Sequence, residues 1–570
     1  MTIADSLYVN GNIATVDKDF SFVHAVAVKN GWIIDTGETA EMRALYEGAG
    51  TQVIDLEGRT MLPGIHDAHT HICDWSDNFH NTVDCSGFSV RSLEDLKVAL
   101  RKRAEEIPEG AWVRGAGMNC DDIAELAAEG RRITRYDLDE ILPDVPVVII
   151  FWDGHTCAAN SKVLELNGID ENTPDPLGGE IIRDASGKPT GVFQESSALQ
   201  LVFKNMPRAS VDELKGNLRA GQKIMNSMGY TSYCDCTTGP ANTTREVGVS
   251  GENGLRAYEE LLNEGALTAR VSVGFYPGKN GIQSYELIKE CLDTFQMPVY
   301  ADKNWVDMHM LKMFCDGVHM GYSAWMKEDY VDNPGCHGRS TFLGPDATDE
   351  EQIAEINRCV QLAHDRGWQI GIHTIGDKAV QVVTDAYIAA QRNNPMPLRR
   401  HYLIHADNLG DHDDLFRAMR NGIGMSVQSN LQSFVYEVSI ERCGKRKGEA
   451  LMSTRDLVEA GMHIANGSDS IGGPYGMWTQ AVQAAVTRKS GITGQVYRPD
   501  MRLSVPQVIR QFTYEGAYQE FAEDVRGTIE PNKKADFCVL DKNIFTIDHD
   551  AITECKCVMT VVDGKVVFEA

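Results

Sequence analysis

The sequence predicts an α/β fold: a (β/α)8 barrel that carries a composite β-sandwich built from both termini and an inserted α+β lobe. Three observations predict it. Short apolar strands alternate with amphipathic helices through the centre of the chain, both ends read as β-hairpins of one texture, and a turn-rich stretch interrupts the central rhythm. A chain of 570 residues with 42% hydrophobic residues can bury the core this requires. It also exceeds the ~250 residues of a bare barrel, so further modules are needed.

The terminal modules come first in this reading. Asn10-Gly11 and Asn30-Gly31 supply tight turns between short β segments at the start, and Asp563-Gly564 does the same near the end. Segments of matched alternation at the two termini predict one sandwich, formed by residues 1–60 and 525–570. Between them VVIIFWD, TSYCDC, ARVSVGFY, MHMLKMFCDG, WQIGIHTIG, RHYLIHA, GIGMSVQ and MHIANGSD are apolar runs bounded by Gly, Asp or Asn, most of them followed by helical stretches. That alternation predicts parallel strands joined by helices over residues 61–80 and 211–524. Residues 81–210 fit the rhythm poorly and are assigned to the inserted lobe.

Composition narrows the partners. A formal net charge of -28 argues against nucleic acid, whose phosphates demand clustered Lys and Arg. No run approaches the ~20 apolar residues of a membrane span, and the N-terminus lacks the basic start and apolar run of a signal peptide. A soluble cytoplasmic protein acting on a small molecule is expected, with a homodimer as the usual assembly. The 14 cysteines are scattered, and the close pairs Cys234/Cys236 and Cys555/Cys557 lack the CxxC spacing of a zinc ribbon. They read as reduced thiols filling small apolar spaces.

Chemistry enters with HDAHTH. His69 and His71 are two apart, and residues i and i+2 of a strand share a face, so both imidazoles can meet one ion. Two surface histidines would give the same string. His373 and His405, however, each end an apolar strand, where a barrel emits the loops that build its active site. Asp469, at a later strand end, is placed to ligate metal and to take a proton from water, although an Asp after Gly-Ser also suits a cap or turn.

LPGIHDAHTH, IGIHTIGD, LIHAD and GSD resemble the strand motifs of the amidohydrolase superfamily. WVRGAGMNCDD, DGHTCAANS, PDPLGGEIIRDASGKPTGVFQE, GSDS and AAVTR are similar to its family 3, YtcJ-like branch, and the likeness continues into GTIEPNKKADFCVLD. The resemblance implies a distorted barrel with a divalent metal, zinc by expectation and one or two ions per chain, at its C-terminal face. It also implies that Lys312 corresponds to the lysine that reacts with CO2 in binuclear members. A carbamate can bridge two cations, whereas an ammonium cannot ligate one; the alternative is an ordinary ion pair with an acid such as Asp316. His155 is implied as a donor to oxygen as charge develops there, or else as a histidine that organises the Asn160 turn.

The chain departs from the branch near the expected mouth. DGVHMGYSAW stands where DGSLGSRTA is usual, which places His319, Tyr322 and Trp325 there, while Ser429 replaces a common Pro and Asn119 an aromatic residue. With Trp152, Phe434 and Trp478 these side chains are candidates for an aromatic substrate pocket, although large aromatics also fill cores. The reaction expected is hydrolysis of an amide-type C–N bond of a formamide or N-acyl amine, with Asp469 as base. Ester or lactone hydrolysis and metal-assisted decarboxylation are alternatives on the same scaffold, and a ligand-binding regulatory protein is the alternative of another class.

Overall fold

The computed structural model describes residues 2–570 apart from 74–75, 77–80, 88, 153–155, 177–179, 195, 241–250, 279–282, 344–346, 408–411 and 470–476. Its centre is a sheet of eight strands in sequential order, each parallel to the next: Ile65–Thr70, Tyr230–Thr238, Arg270–Phe275, Val306–Phe314, Gln369–Thr374, Tyr402–His405, Gly424–Val427 and Ile464–Asn466. These are the first to eighth barrel strands below. The last meets the first through the Asp469 N–H, which donates to His69 O at 2.8 Å. Helices such as Asp349–Asp365, Asp377–Asn393 and Ser429–Cys443 return the chain after a strand. The apolar stripes of the first two lie against the sheet, as Ile356, Val360, Val383 and Tyr387 do against Ile370, Ile372 and Leu403.

Residues from both termini build the sandwich. One sheet holds Ser6–Val9, Ala25–Lys29, Trp32–Gly37 and Gln52–Asp55; the other joins Asn12–Ala14, Phe22–Val23 and Thr60–Pro63 to Phe537–Leu540, Cys557–Val562 and Lys565–Glu569. Leu62 opposite Cys538 marks the seam between N- and C-terminal segments. Tyr8, Val26, Met61, Phe537, Val539 and Val561 form a common buried cluster, because alternation turns one face of each strand inward. At two hairpins both turn residues have positive φ, Asn30 and Gly31 at 52° and 75° and Asp563 and Gly564 at 52° and 76°. Asn, Asp and Gly are the residues that tolerate this.

The insertion has a six-stranded mixed sheet of its own, running from Thr82–Asp84 to Pro189–Gln194. VVIIF, one of the apolar runs of the sequence, belongs here as Val147–Phe151 and not in the barrel. The sheet is parallel at Val113–Met118 and Val147–Phe151 and antiparallel beyond. Val113, Val147 and Ile149 pack on Leu96, Leu100 and Leu138, giving the lobe its own core. Among the described residues no helix is long and apolar enough to cross a membrane.

Two features lock sandwich to barrel. Strand Thr60–Pro63 passes through Gly64 directly into the first barrel strand, and a Cβ at Gly64 would lie 2.0 Å from Thr231 Oγ1, so only glycine fits the close approach. Arg270, which opens the third barrel strand, donates to both oxygens of Asp536 at 2.7 and 3.0 Å, with side chains 1% and 4% exposed. Asp536→Ala leaves that buried guanidinium only Asn304 O and the longer contact to Asp563, so it is expected to cost about 3 kcal/mol, whereas an exposed pair such as Arg43 with Glu47 costs under about 1 kcal/mol. Denaturant midpoints of the two variants measure the contrast.

Candidate metal centre

The C-terminal ends of the barrel strands gather the sequence-predicted histidines. Nε2 of His69 and Nε2 of His71 lie 3.1 and 3.2 Å from Oδ1 of Asp469. One ligand atom each from His69, His405 and Asp469 falls within 4.8 Å of the others. The His405 ring is 5.2 Å from that of His69 and 4.5 Å from that of His373. Two imidazoles and a carboxylate at this spacing are the donor set that divalent zinc takes.

Backbone strain aims part of this set. His405, Ala406 and Asp469 have φ of 67°, 45° and 55°, the left-handed region that non-glycine residues rarely enter. Such geometry persists only where surrounding bonds enforce it. Here they do: buried Asp67, two residues before His69, accepts from the N–H of Ser468 at 2.9 Å and from that of His69 at 3.2 Å. Gly467 belongs to the same clamp, since a Cβ there would stand 2.5 Å from His69 N.

Neighbours orient the rings. Nδ1 of His71 bonds Thr237 Oγ1 at 2.8 Å, and Nδ1 of His405 meets Gln428 Oε1 at 2.5 Å. Gln428 Nε2 donates to Ser426 O, which turns Oε1 toward His405; Nδ1 must then donate, leaving the Nε2 lone pair of His405 free. Nε2 of His373 donates to the Gly317 carbonyl at 3.2 Å, so Nδ1 is its free lone pair.

Charge is distributed unevenly. Burial pushes the Asp469 carboxyl up, but His69, His71 and His405 outweigh it and hold the group well below the usual carboxylate range. Burial also lowers His69, yet Cys236 and Asp469 bring it up to about 9. His373 is pushed down to about 3 by burial and then by Lys312, and burial with the His373 charge sends His405 well below its ordinary value.

Lys312 is 1% exposed on the inner face of the fourth barrel strand, its Nζ 4.5 Å from the Phe314 ring centroid. Burial lowers its amine to about 8, against the opposing pull of Cys236 and Asp469. Asp316, the acid named as its alternative partner, instead accepts the N–H groups of Trp325, Ile375 and Gly376 at 2.8, 3.0 and 2.8 Å. Among the described residues no carboxylate forms an ion pair with Lys312.

The aromatic candidates do not converge. Trp325 is fully buried in the core cluster of the fourth to seventh strands, Trp478 packs in the sandwich-side core with its indole N–H on Met228 O, and Trp152 is 70% exposed on the inserted lobe. Phe434 is half-buried near Gly491, and the Tyr322 hydroxyl donates to Asp332. Ser429 is buried against Asn466, and Asn119 caps a turn of the lobe by accepting from Asp121 N. His319 is buried, and His155 lies outside the described residues.

Sequence reasoning missed several neighbours. Cys236, taken as an apolar filler, has its thiol against His69, Lys312 and Cys234, whose Sγ is 3.5 Å away. Burial raises this thiol, but the bond with Cys234 and the His69 and Lys312 charges hold it well below its ordinary range. Strand alternation through TSYCDC carried that signal, since it puts Cys234 and Cys236 on one face. Asp407, two residues past His405, was part of LIHAD but received no role.

A parallel eight-strand barrel with a His/Asp cluster at the C-terminal strand ends defines a class of metal-dependent hydrolases. The chain belongs to the amidohydrolase family, whose family model matches residues 52–568. It is 28% identical over 568 residues, 99% of each chain, to YtcJ of Bacillus subtilis (strain 168), whose own assignment as an amidohydrolase is provisional. It is 27% identical over 578 residues to the N-substituted formamide deformylase of Arthrobacter pascens, covering 99% of this chain and 98% of that one. Among solved structures an uncharacterized metal-dependent hydrolase from Pyrococcus horikoshii OT3 superposes with a TM-score of 0.74 at 24% identity, over 96% of this chain and 99% of that one. The last likeness bears on the fold.

Gln428→Leu removes the acceptor that orients His405 and is expected to weaken metal affinity about 10–100-fold while leaving the secondary structure intact. Competition against a chelator, read beside circular dichroism, measures it.

Proposed function

We propose that this chain hydrolyses an amide-type C–N bond of a small molecule, a formamide or N-acyl amine, with a divalent metal held by His69, His71, His373, His405 and Asp469. The observation that carries the reading is the 4.8 Å cluster of ligand atoms from His69, His405 and Asp469 at the barrel mouth. The C–N preference draws on the similarity to the formamide deformylase over nearly the full length of both chains. A bound zinc supplies a Lewis acid for the carbonyl oxygen and lowers the pKa of water toward ~7.

The chain's own residues supply the proton transfers. Asp469, kept ionised by three surrounding histidines, accepts the proton of the attacking water and returns it to the departing nitrogen. His405 is fixed in tautomer by Gln428, so its lone pair stays directed, and Thr237 holds the His71 ring in orientation. His155 of the inserted lobe donates to the carbonyl oxygen as it gains charge. Lys312, buried without a carboxylate partner among the described residues, takes up CO2: its amine nitrogen bonds the carbon and releases a proton, giving an anionic carbamate that could ligate a cation.

Asp469→Asn is expected to keep at least half of the bound metal and to lose about 1,000-fold or more in kcat. Elemental analysis and a substrate panel of formamides, N-acyl amines, lactones and aryl carboxylic acids read both. Consumption of the aryl acids alone would overturn the C–N assignment. For Lys312, growth of a carbamate carbon signal in 13C NMR under labelled bicarbonate is expected, and its absence in Lys312→Arg assigns it; an unlabelled wild-type protein at saturating bicarbonate refutes the carbamate.

A further inference from the structure

His319 and Asp407 face each other, Asp407 two residues past His405, and the His319 atom on that side has no partner. His319 opens a short turn, His319–Gly321, in the loop after the fourth barrel strand, where the sequence departs from its branch. Asp407 follows His405 after the strained Ala406. The two side chains are 4% and 6% exposed. His319 Nδ1 lies 3.7 Å from Asp407 Oδ2, beyond hydrogen-bond reach, and Nδ1 has no partner.

The tautomer of His319 follows from Ser439 on helix Ser429–Cys443. Ser439 Oγ is 2.6 Å from Val435 O and 2.7 Å from His319 Nε2. Two oxygens at 2.6 Å require the single hydroxyl proton between them, so Ser439 donates to the carbonyl and accepts from Nε2–H. A neutral imidazole with its proton on Nε2 has a bare lone pair on Nδ1. Nδ1 and Asp407 Oδ2 therefore face each other as two acceptors, and leaving the buried Nδ1 without a donor is costly.

We propose that this acceptor pair receives the N–H of the substrate's scissile nitrogen, so that the site takes amides whose nitrogen keeps a hydrogen and rejects fully substituted ones. A nitrogen about 2.9 Å from each atom fits a 3.7 Å separation. Asp407 lies two residues past His405, at the same strand end as the histidine cluster. The inference rests on the amide-hydrolase reading and adds a substrate class to it.

The test uses the full-length, zinc-loaded protein with N-benzylformamide and N-benzyl-N-methylformamide. The wild type is expected to favour the N–H amide by about 30-fold or more in kcat/KM, because a buried acceptor pair rejects a partner without a donor. His319→Phe keeps the ring's bulk and removes the acceptor, so steric exclusion of the methyl group persists while the hydrogen-bond preference goes. The ratio is expected to fall below about 3-fold there. Asp407→Asn should lower it too, since its amide N–H can fill Nδ1. Equal rates on both amides in the wild type, as a pair occupied only by water would give, or an unchanged ratio in both folded, metal-replete variants, overturns the proposal. Should the wild type cleave neither amide, the hydrolase reading fails by itself, and calorimetric binding of the same two uncleaved compounds decides this one by the same ratio.

Discussion

The seam between the first and eighth barrel strands makes closure of the fold and assembly of the site a single interaction. Asp469 gives its backbone N–H to His69 O and presents its carboxylate to Nε2 of both His69 and His71. A barrel that failed to close would separate Asp469 from the two histidines. The φ of 55° at Asp469 is held by this double constraint, with Asp67 bracing Ser468 and His69 from beneath.

The terminal sandwich has a mechanical part in the same arrangement. The strand that leaves it enters the first barrel strand after one glycine, so the register of Thr60–Pro63 against Phe537–Leu540 helps fix where His69 and His71 stand. Arg270 and Asp536 repeat the tie at the third strand with a fully buried, bidentate pair. A sandwich assembled from both chain ends thus clamps the barrel at the end opposite the metal cluster. Loops at the C-terminal face stay available for substrate, as the substitutions around His319 illustrate.

Electrostatics at the centre divide labour among similar groups. Four histidines occupy one mouth, yet His69 is raised while His373 and His405 are lowered, because His69 faces Asp469 and Cys236 and the other two face burial and neighbouring positive charge. Low proton affinity at His373 and His405 keeps lone pairs available for a cation. The buried lysine and thiol close to them add soft and hard donor chemistry to the same few ångströms.

By itself the sequence determined the fold class, the terminal origin of the sandwich, the insertion and the His and Asp residues that meet at the strand ends, because strand alternation, hairpin turns and the His-x-His spacing are local patterns. Local patterns also placed Cys236 on an inward face, but nothing local says which inward residue meets which across a barrel. Tertiary structure alone decided that Lys312 has Asp316 tied to backbone N–H groups and not as its partner, that Trp325 and Trp478 are core, and that Trp152 is exposed. It alone brought His319 to Asp407, 88 positions apart along the chain, and set their acceptors against one gap. The physical reason is that closure of a parallel barrel makes neighbours of strand ends separated by whole helices, and that proximity has no periodicity along the chain to read.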